Sequence, residues 1–344
     1  MTTRGVTLAA LLAVLGRPAW WLLALAGFLA RGGILLFLLA VVTLPSPLAL
    51  SNVVAPLLVP IVFGGVTPVL AAVIAFGIAS VVAWILVGAL IGASTEVVLV
   101  VDSRGAAIDE GVPTRAERHP ANWAIVRVAV ARLIAHVPFA IALALGSVQV
   151  VNAAYLELTA PAEVATPLFL RVVRGALGPI LVILAALVVG EVTGGLAARR
   201  IIAGDGSVLG SVSRAYRDLV ARPRSTALPA LLTTAVLALD LAAVLAIVEL
   251  GWTAARTQLT QIPADAVGIG LGLASFAAAW VLALLVTGMI DAWRSAAMTF
   301  EEERVAAVAE ARATGTGRAV DGTFGASPNR RPGDWSAGNP GGSL

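Results

Sequence analysis

Five ionisable residues interrupt apolar stretches of this chain: Arg31, Arg132, His136, Glu191 and Asp240. Two guanidiniums, two carboxylates and an imidazole can pair with one another, hold a small charged solute or pass protons. An arginine in the middle of a bilayer costs roughly 2.5 to 3.5 kcal/mol on insertion scales, so such residues face the interior of a bundle and find partners. The expectation is that Arg31 and Arg132 turn inward and pair with Asp240 and Glu191. His136 lies one helical turn beyond Arg132 and reads as a hydrogen-bonded packing histidine, with proton relay as the alternative. Asp291 and Arg294, three apart, read as a local pair at the membrane edge, and Glu96 as a similar interfacial residue.

Other chemistries lack their residues. There is no cysteine, and His119 and His136 are the only histidines, so no metal site is expected. "GIGLGLAS" (Gly268–Ser275) opens an apolar run with no preceding strand, which makes it a packing face and not a nucleotide loop. "GDGSVLGS" (Gly204–Ser211) lacks the lysine of a phosphate loop and reads as a turn. No acid pair or serine nucleophile has its usual context. The expectation is a protein that is not an enzyme and has no catalytic residue, no cofactor and no nucleic-acid partner.

The elements that must position these charges are membrane helices. Hydrophobic residues make up 59% of the chain and charged residues 12%, with a mean hydropathy of +0.95, far from the soluble range. A bilayer core of about 30 Å needs roughly 20 apolar residues per helix. Six stretches qualify, near 19–44, 68–98, 122–156, 172–202, 226–250 and 266–293, with a kink expected at Pro138. The run Val6–Leu15 has no cleavage pattern and reads as retained rather than as a signal peptide. All the basic residues are arginine, which together with the Ala, Gly, Val and Leu usage points to a high-GC bacterial genome. Arginines cluster before the first span, after even-numbered spans and in the tail, whereas Arg171, Arg174 and Arg256 alone mark the opposite side. The positive-inside rule then places both termini in the cytoplasm of a bacterial inner-membrane protein.

The chain also repeats itself. Arg17-Pro18, His119-Pro120 and Arg222-Pro223 precede the odd-numbered spans, with prolines 102 and 103 residues apart. Each even-numbered span carries a small-x-x-x-small step that permits close helix approach: Gly88 with Gly92, Gly190 with Gly194, and Gly288 with Ala292. The fold class expected is all-α and polytopic: six transmembrane helices arranged as three weakly related two-helix hairpins in parallel repeat. The membrane bundle covers residues 1–300, with repeats of about 1–102, 103–205 and 206–300. Residues 301–344 form a cytoplasmic helix extension and a disordered tail rich in Gly, Pro and Ser. Between spans four and five, Leu209, Val212, Tyr216 and Leu219 recur at helical spacing. This gives a helix that either lies on anionic headgroups through Arg214, Arg217, Arg222 and Arg224 or caps the bundle. The uncharged, proline-rich loop from Pro45 to Pro68 reads as an outer cap or re-entrant lid.

The Arg17-Pro18 type of entry and the Gly88, Gly190 and Gly288 steps give a layout that resembles uncharacterised bacterial six-helix families related to the membrane domain found beside some glycerophosphodiester phosphodiesterases. The phosphodiesterase domain itself is missing. The resemblance implies an accessory membrane role associated with lipid. The function expected is therefore an accessory or scaffold membrane protein, in contact with the lipid bilayer and with a membrane-protein partner. The alternative is a small-solute or ion transporter that uses the intramembrane Arg, Asp and Glu residues.

Overall fold

The computed structural model describes residues 2–39, 65, 67–114, 123–159, 168–204, 206–221, 223–260 and 266–313. Most of the outer loop 45–68, His119, Pro120, Arg222 and the tail from 314 lie outside them, and the side chain of Arg224 is likewise not described. Every described element is helical: α1 (Thr3–Leu15), α2 (Pro18–Phe28), a π-helical turn (Leu29–Gly33), α3 (Ile34–Leu39), α4 (Pro68–Asp109), α5 (Ala124–Ala135), α6 (Val137–Thr159), α7 (Leu168–Gly175), α8 (Leu177–Ile202), α9 (Val208–Ala221), α10 (Pro223–Thr260) and α11 (Ala266–Ala313).

Six segments are long and apolar enough to cross a membrane, the architecture of a multi-pass membrane protein: Pro18–Leu38, Pro68–Asp109, Val137–Thr159, Leu177–Ile202, Leu228–Leu259 and Ala266–Arg312. Local signals set several helix ends. Thr2 and Thr67 accept hydrogen bonds from the first-turn amides of Gly5 and Leu70, and Pro68 fills a position that has no amide to lose. At the far end of α4, Gly111 takes φ +69°, and the amides of Gly111 and Val112 bond back to Ile108 and Ala107, a left-handed cap that favours glycine.

Three spans are broken, the third beside Pro138, where a kink was expected, and the first and fourth where a continuous helix was expected. The first widens into the π turn at Leu29–Gly33, with Gly32 at φ +107°, a backbone that side chains other than glycine rarely adopt. The third breaks at His136, between α5 and α6. Pro138 there cannot donate the amide that would continue the ladder. The fourth breaks at Ala176, ahead of Gly178 and Pro179.

The helices converge at one end and splay at the other. At the packed end, α1 lies against α4 and α11, and Val6, Ala10, Val14, Ala107, Ala296 and Phe300 form a buried cluster. A second cluster joins α4, α5, α8 and α9 through Val100, Val128, Ala197, Ile201 and Val212. Toward the splayed end α4 is exposed throughout 71–87, and Leu143, Leu145, Leu181, Val182, Val267 and Leu271 are exposed as well, an apolar surface suited to lipid. Both α4, of 42 residues, and α11, of 48, outrun the bilayer, reaching ~63 and ~72 Å at 1.5 Å per residue.

The helix α9 caps the packed end. Ser211, Val212 and Ala215 are buried, the Tyr216 hydroxyl donates to the Ala135 carbonyl at 3.0 Å, and Asp218 pairs with Arg200. Its outer face carries Leu209, Arg214, Arg217 and Val220, all exposed.

Candidate functional site: a buried charge network

Arg31 projects from the π turn, its Nε donating to the Gly27 carbonyl at 3.0 Å. The backbone passes so close to α4 here that only glycine fits opposite. A Cβ on Gly88 would lie 2.3 Å from the Ala30 oxygen, and one on Gly92 would lie 2.9 Å from Arg31 Cδ. Gly190 seats the break in the third span closely, its Cβ position falling 3.1 Å from His136 Cδ2, while at Gly194 a Cβ would make ordinary contact, 3.5 Å from Arg132 Cγ. Gly288 abuts α2, where a Cβ would lie 2.5 Å from the Trp21 carbonyl oxygen, and Ala292 is fully buried.

These close approaches bring seven charges into one chain of contacts. Arg31 reaches Asp291 at 3.5 Å, and Asp291 pairs with Arg294 at 2.8 Å. Arg294 reaches Glu191 at 3.4 Å, and Glu191 also accepts from Arg132 at 3.3 Å. Arg132 then grips Glu96 with two nitrogens, at 2.5 and 2.7 Å. Arg199 closes the row 3.7 Å from Glu96, and donates to the carbonyls of Gly195 and Ser295 and to the Thr299 hydroxyl. His136 attaches at the side: Nε2 is 3.3 Å from Glu191, and Nδ1 is 2.8 Å from the Arg132 carbonyl. The row holds four guanidiniums and three carboxylates, leaving one positive charge in excess. A small cavity of about 40 Å3 lies among Arg31, Glu96, Arg132, Glu191, Asp291 and Arg294. At ~10–15 Å3 per water it has room for about three.

The structure corrects the expected partners. Arg132 does meet Glu191, but its principal partner is Glu96. Arg31 pairs with Asp291, not with Asp240. Asp240 stands apart from the row, with the Thr287 hydroxyl donating to its Oδ2 at 2.9 Å and no ion pair among the described residues. Asp291 and Arg294 do form the i,i+3 contact expected of them, but both are links in the central row and not members of an isolated edge pair. Arg199, read from the sequence only as one of the arginines clustered at the end of an even-numbered span, is 2% exposed at the centre.

The row also lies closer to the packed end than Arg31 alone implied. Val137–Leu156 already supplies the 20 residues that span ~30 Å, and Arg132 and His136 lie just outside that run. Glu96 is 28 residues beyond Pro68. The charges therefore sit where the helices converge, shielded by protein and not by lipid.

A signal for the missed acids was present in the sequence. Glu96 follows Gly92 by four residues and Asp291 follows Gly288 by three, so each lies on the same helix face as a close-packing glycine. Among the described residues no group of His, Asp and Glu could hold a metal ion. No family model matches this chain, nor does any curated protein or solved structure.

Proposed function

We propose that this chain is an accessory or scaffold protein of the bacterial cytoplasmic membrane, held in one arrangement by its charge network. The observation that carries the reading is the connectivity of that network. Arg31 and Glu96 come from the first pair of spans, Arg132, Glu191 and Arg199 from the second, and Asp291 and Arg294 from the third, so a single row of ion pairs joins all three around a cavity of about 40 Å3. A centre this small, in which every charge of the row meets at least one of opposite sign, suits positional specificity better than solute passage.

Three further readings accompany it. The packed end faces the cytoplasm: Arg17, Arg104, Arg199, Arg200 and Arg304 gather there, and α1 and the end of α11 meet through Thr3 and Glu301, as an even number of spans requires. The three hairpins are related units. Gly92 on Arg31 and Gly194 on Arg132 repeat one packing contact, while the third unit departs by setting Gly288 on α2. The exposed face of α9 offers Arg214 and Arg217 to anionic headgroups, while Leu209 and Val220 dip toward the acyl boundary.

The test is photocrosslinking in cells from exposed positions of the splayed half, such as Phe76 and Leu145. A defined membrane-protein partner recovered from both positions is the expected result. Charge-dependent solute flux into vesicles containing only the purified protein, with no partner recovered, would replace the scaffold by the transporter reading. Two observations favour that second reading: the breaks in the first and third spans fall at Arg31 and His136, as broken helices do at transporter sites, and no cation among the described residues pairs with Asp240.

A further inference from the structure

Asp240 is the charge that the network leaves out. It lies inside the longest apolar stretch of α10. The next ionisable residue toward the end of the helix is Glu249, nine residues or ~13 Å away, and toward its start Arg224, sixteen residues or ~24 Å away. The side chain is half-buried against α11, where Thr287 is fully buried and donates to Oδ2. Helix α3 approaches the same stretch with Phe37 packed on Val244 and Val248, and its six residues Ile34–Leu39 carry no charge. On α11 the nearest charges are Asp291, one turn beyond Thr287, and Arg294 beyond it. Arg31 is engaged by Asp291. No guanidinium among the described residues reaches Asp240.

An ionised carboxylate in apolar surroundings without a counter-ion is far more costly than a neutral acid with one hydrogen bond. With no guanidinium within reach among the described residues, the neutralising partner that this site leaves open is a proton. We propose that Asp240 is a reversible proton-binding site, held as a carboxylic acid at neutral pH with Thr287 as its hydrogen-bond partner. In this state one carboxyl oxygen carries the proton and the other accepts from the Thr287 hydroxyl. Release leaves the carboxylate with the Thr287 bond alone, and the proton leaves toward the packed end, where Asp291 and the polar cavity lie one helical turn on. The site is independent of the scaffold reading: it can exist in a protein with a partner and no transport, or underlie transport.

The experiment is infrared spectroscopy of the full chain in dodecyl maltoside, comparing H2O with D2O at pH 7. The expected result is a carbonyl stretch of a protonated carboxylic acid that shifts on deuterium exchange, is absent in Asp240→Asn, moves in Thr287→Val and is retained in Glu96→Gln. Absence of the band from the wild type, or its persistence in Asp240→Asn, overturns the proposal. A second measurement covers failure of the asparagine variant to fold. Dicyclohexylcarbodiimide attacks protonated carboxyls in apolar sites, and cleavage after Arg224 and Arg256 gives a peptide whose only acids are Asp240 and Glu249. In wild-type protein the label is expected on Asp240, at least tenfold above Glu249, and to fall as pH is raised. Equal labelling of the two acids, or none on Asp240, contradicts it.

Discussion

The pairing of Arg132 with Glu96 shows how one residue's position decides its worth. Both are largely buried, at 12% and 7% side-chain exposure, and Glu96 also faces Arg199. Removing one partner of a buried pair leaves the other charge uncompensated, which costs about 3–5 kcal/mol. Glu96→Gln should therefore lower stability by about that amount in detergent unfolding followed by circular dichroism. Asp240→Asn, which keeps the Thr287 hydrogen bond and removes no counter-ion, should change it by less than about 1 kcal/mol. Equal losses in the two variants would mean that Asp240 too is ionised and paired. The sequence showed that charges lie within apolar runs, because composition makes them conspicuous, but not which would pair. Partner choice depends on the tilt and axial register of five helices, which residue spacing within one helix does not encode. That is why Glu96 read as an edge residue and Arg31 was matched to the wrong acid.

Helix contacts turn on glycines whose neighbours are backbone atoms. A Cβ at Gly88 would meet the Ala30 carbonyl oxygen at 2.3 Å, whereas one at Gly77, on the same helix, meets nothing within 4 Å. Gly88→Ala should force α4 away from the π turn and reduce recovery of monodisperse protein severalfold on size exclusion, with Gly77→Ala indistinguishable from wild type. Gly32 has open space around it but φ +107°, so Gly32→Ala should destabilise through backbone strain alone, by about 1–3 kcal/mol. Restoration of stability by a second substitution that enlarges space near Gly32 would contradict that cause. The small-x-x-x-small steps were visible in the sequence, while the breaks at Gly32 and His136 were not. A π turn leaves the apolar pattern intact, and Pro138 marks a kink without giving its depth.

At the scale of the whole molecule, six apolar helices were legible from length and hydropathy, since a bilayer leaves few other ways to satisfy so much apolar surface. The uneven division into a packed end and a splayed end was not, because hydropathy marks where α4 and α11 can cross a bilayer but not that both continue as helix beyond it, α11 through the charged run from Asp291 to Arg312. Orientation is checked by single-cysteine labelling in this cysteine-free chain. A cysteine replacing Ser213, exposed on α9, should react with an impermeant thiol reagent only from the cytoplasm, and one replacing Gln258, exposed near the end of α10, only from outside. The reverse pattern would invert the protein. The central claim, that the three hairpins are joined by a packed charge network and not by a solute chamber, is tested most directly at Ala24, which is 5% exposed and lines the central cavity. A cysteine at Ala24, introduced alone, should stay unlabelled from either side while the cysteines at 213 and 258 react fully. Rapid labelling of Ala24→Cys from one side would show a water-filled chamber wide enough for the reagent, and would contradict the account.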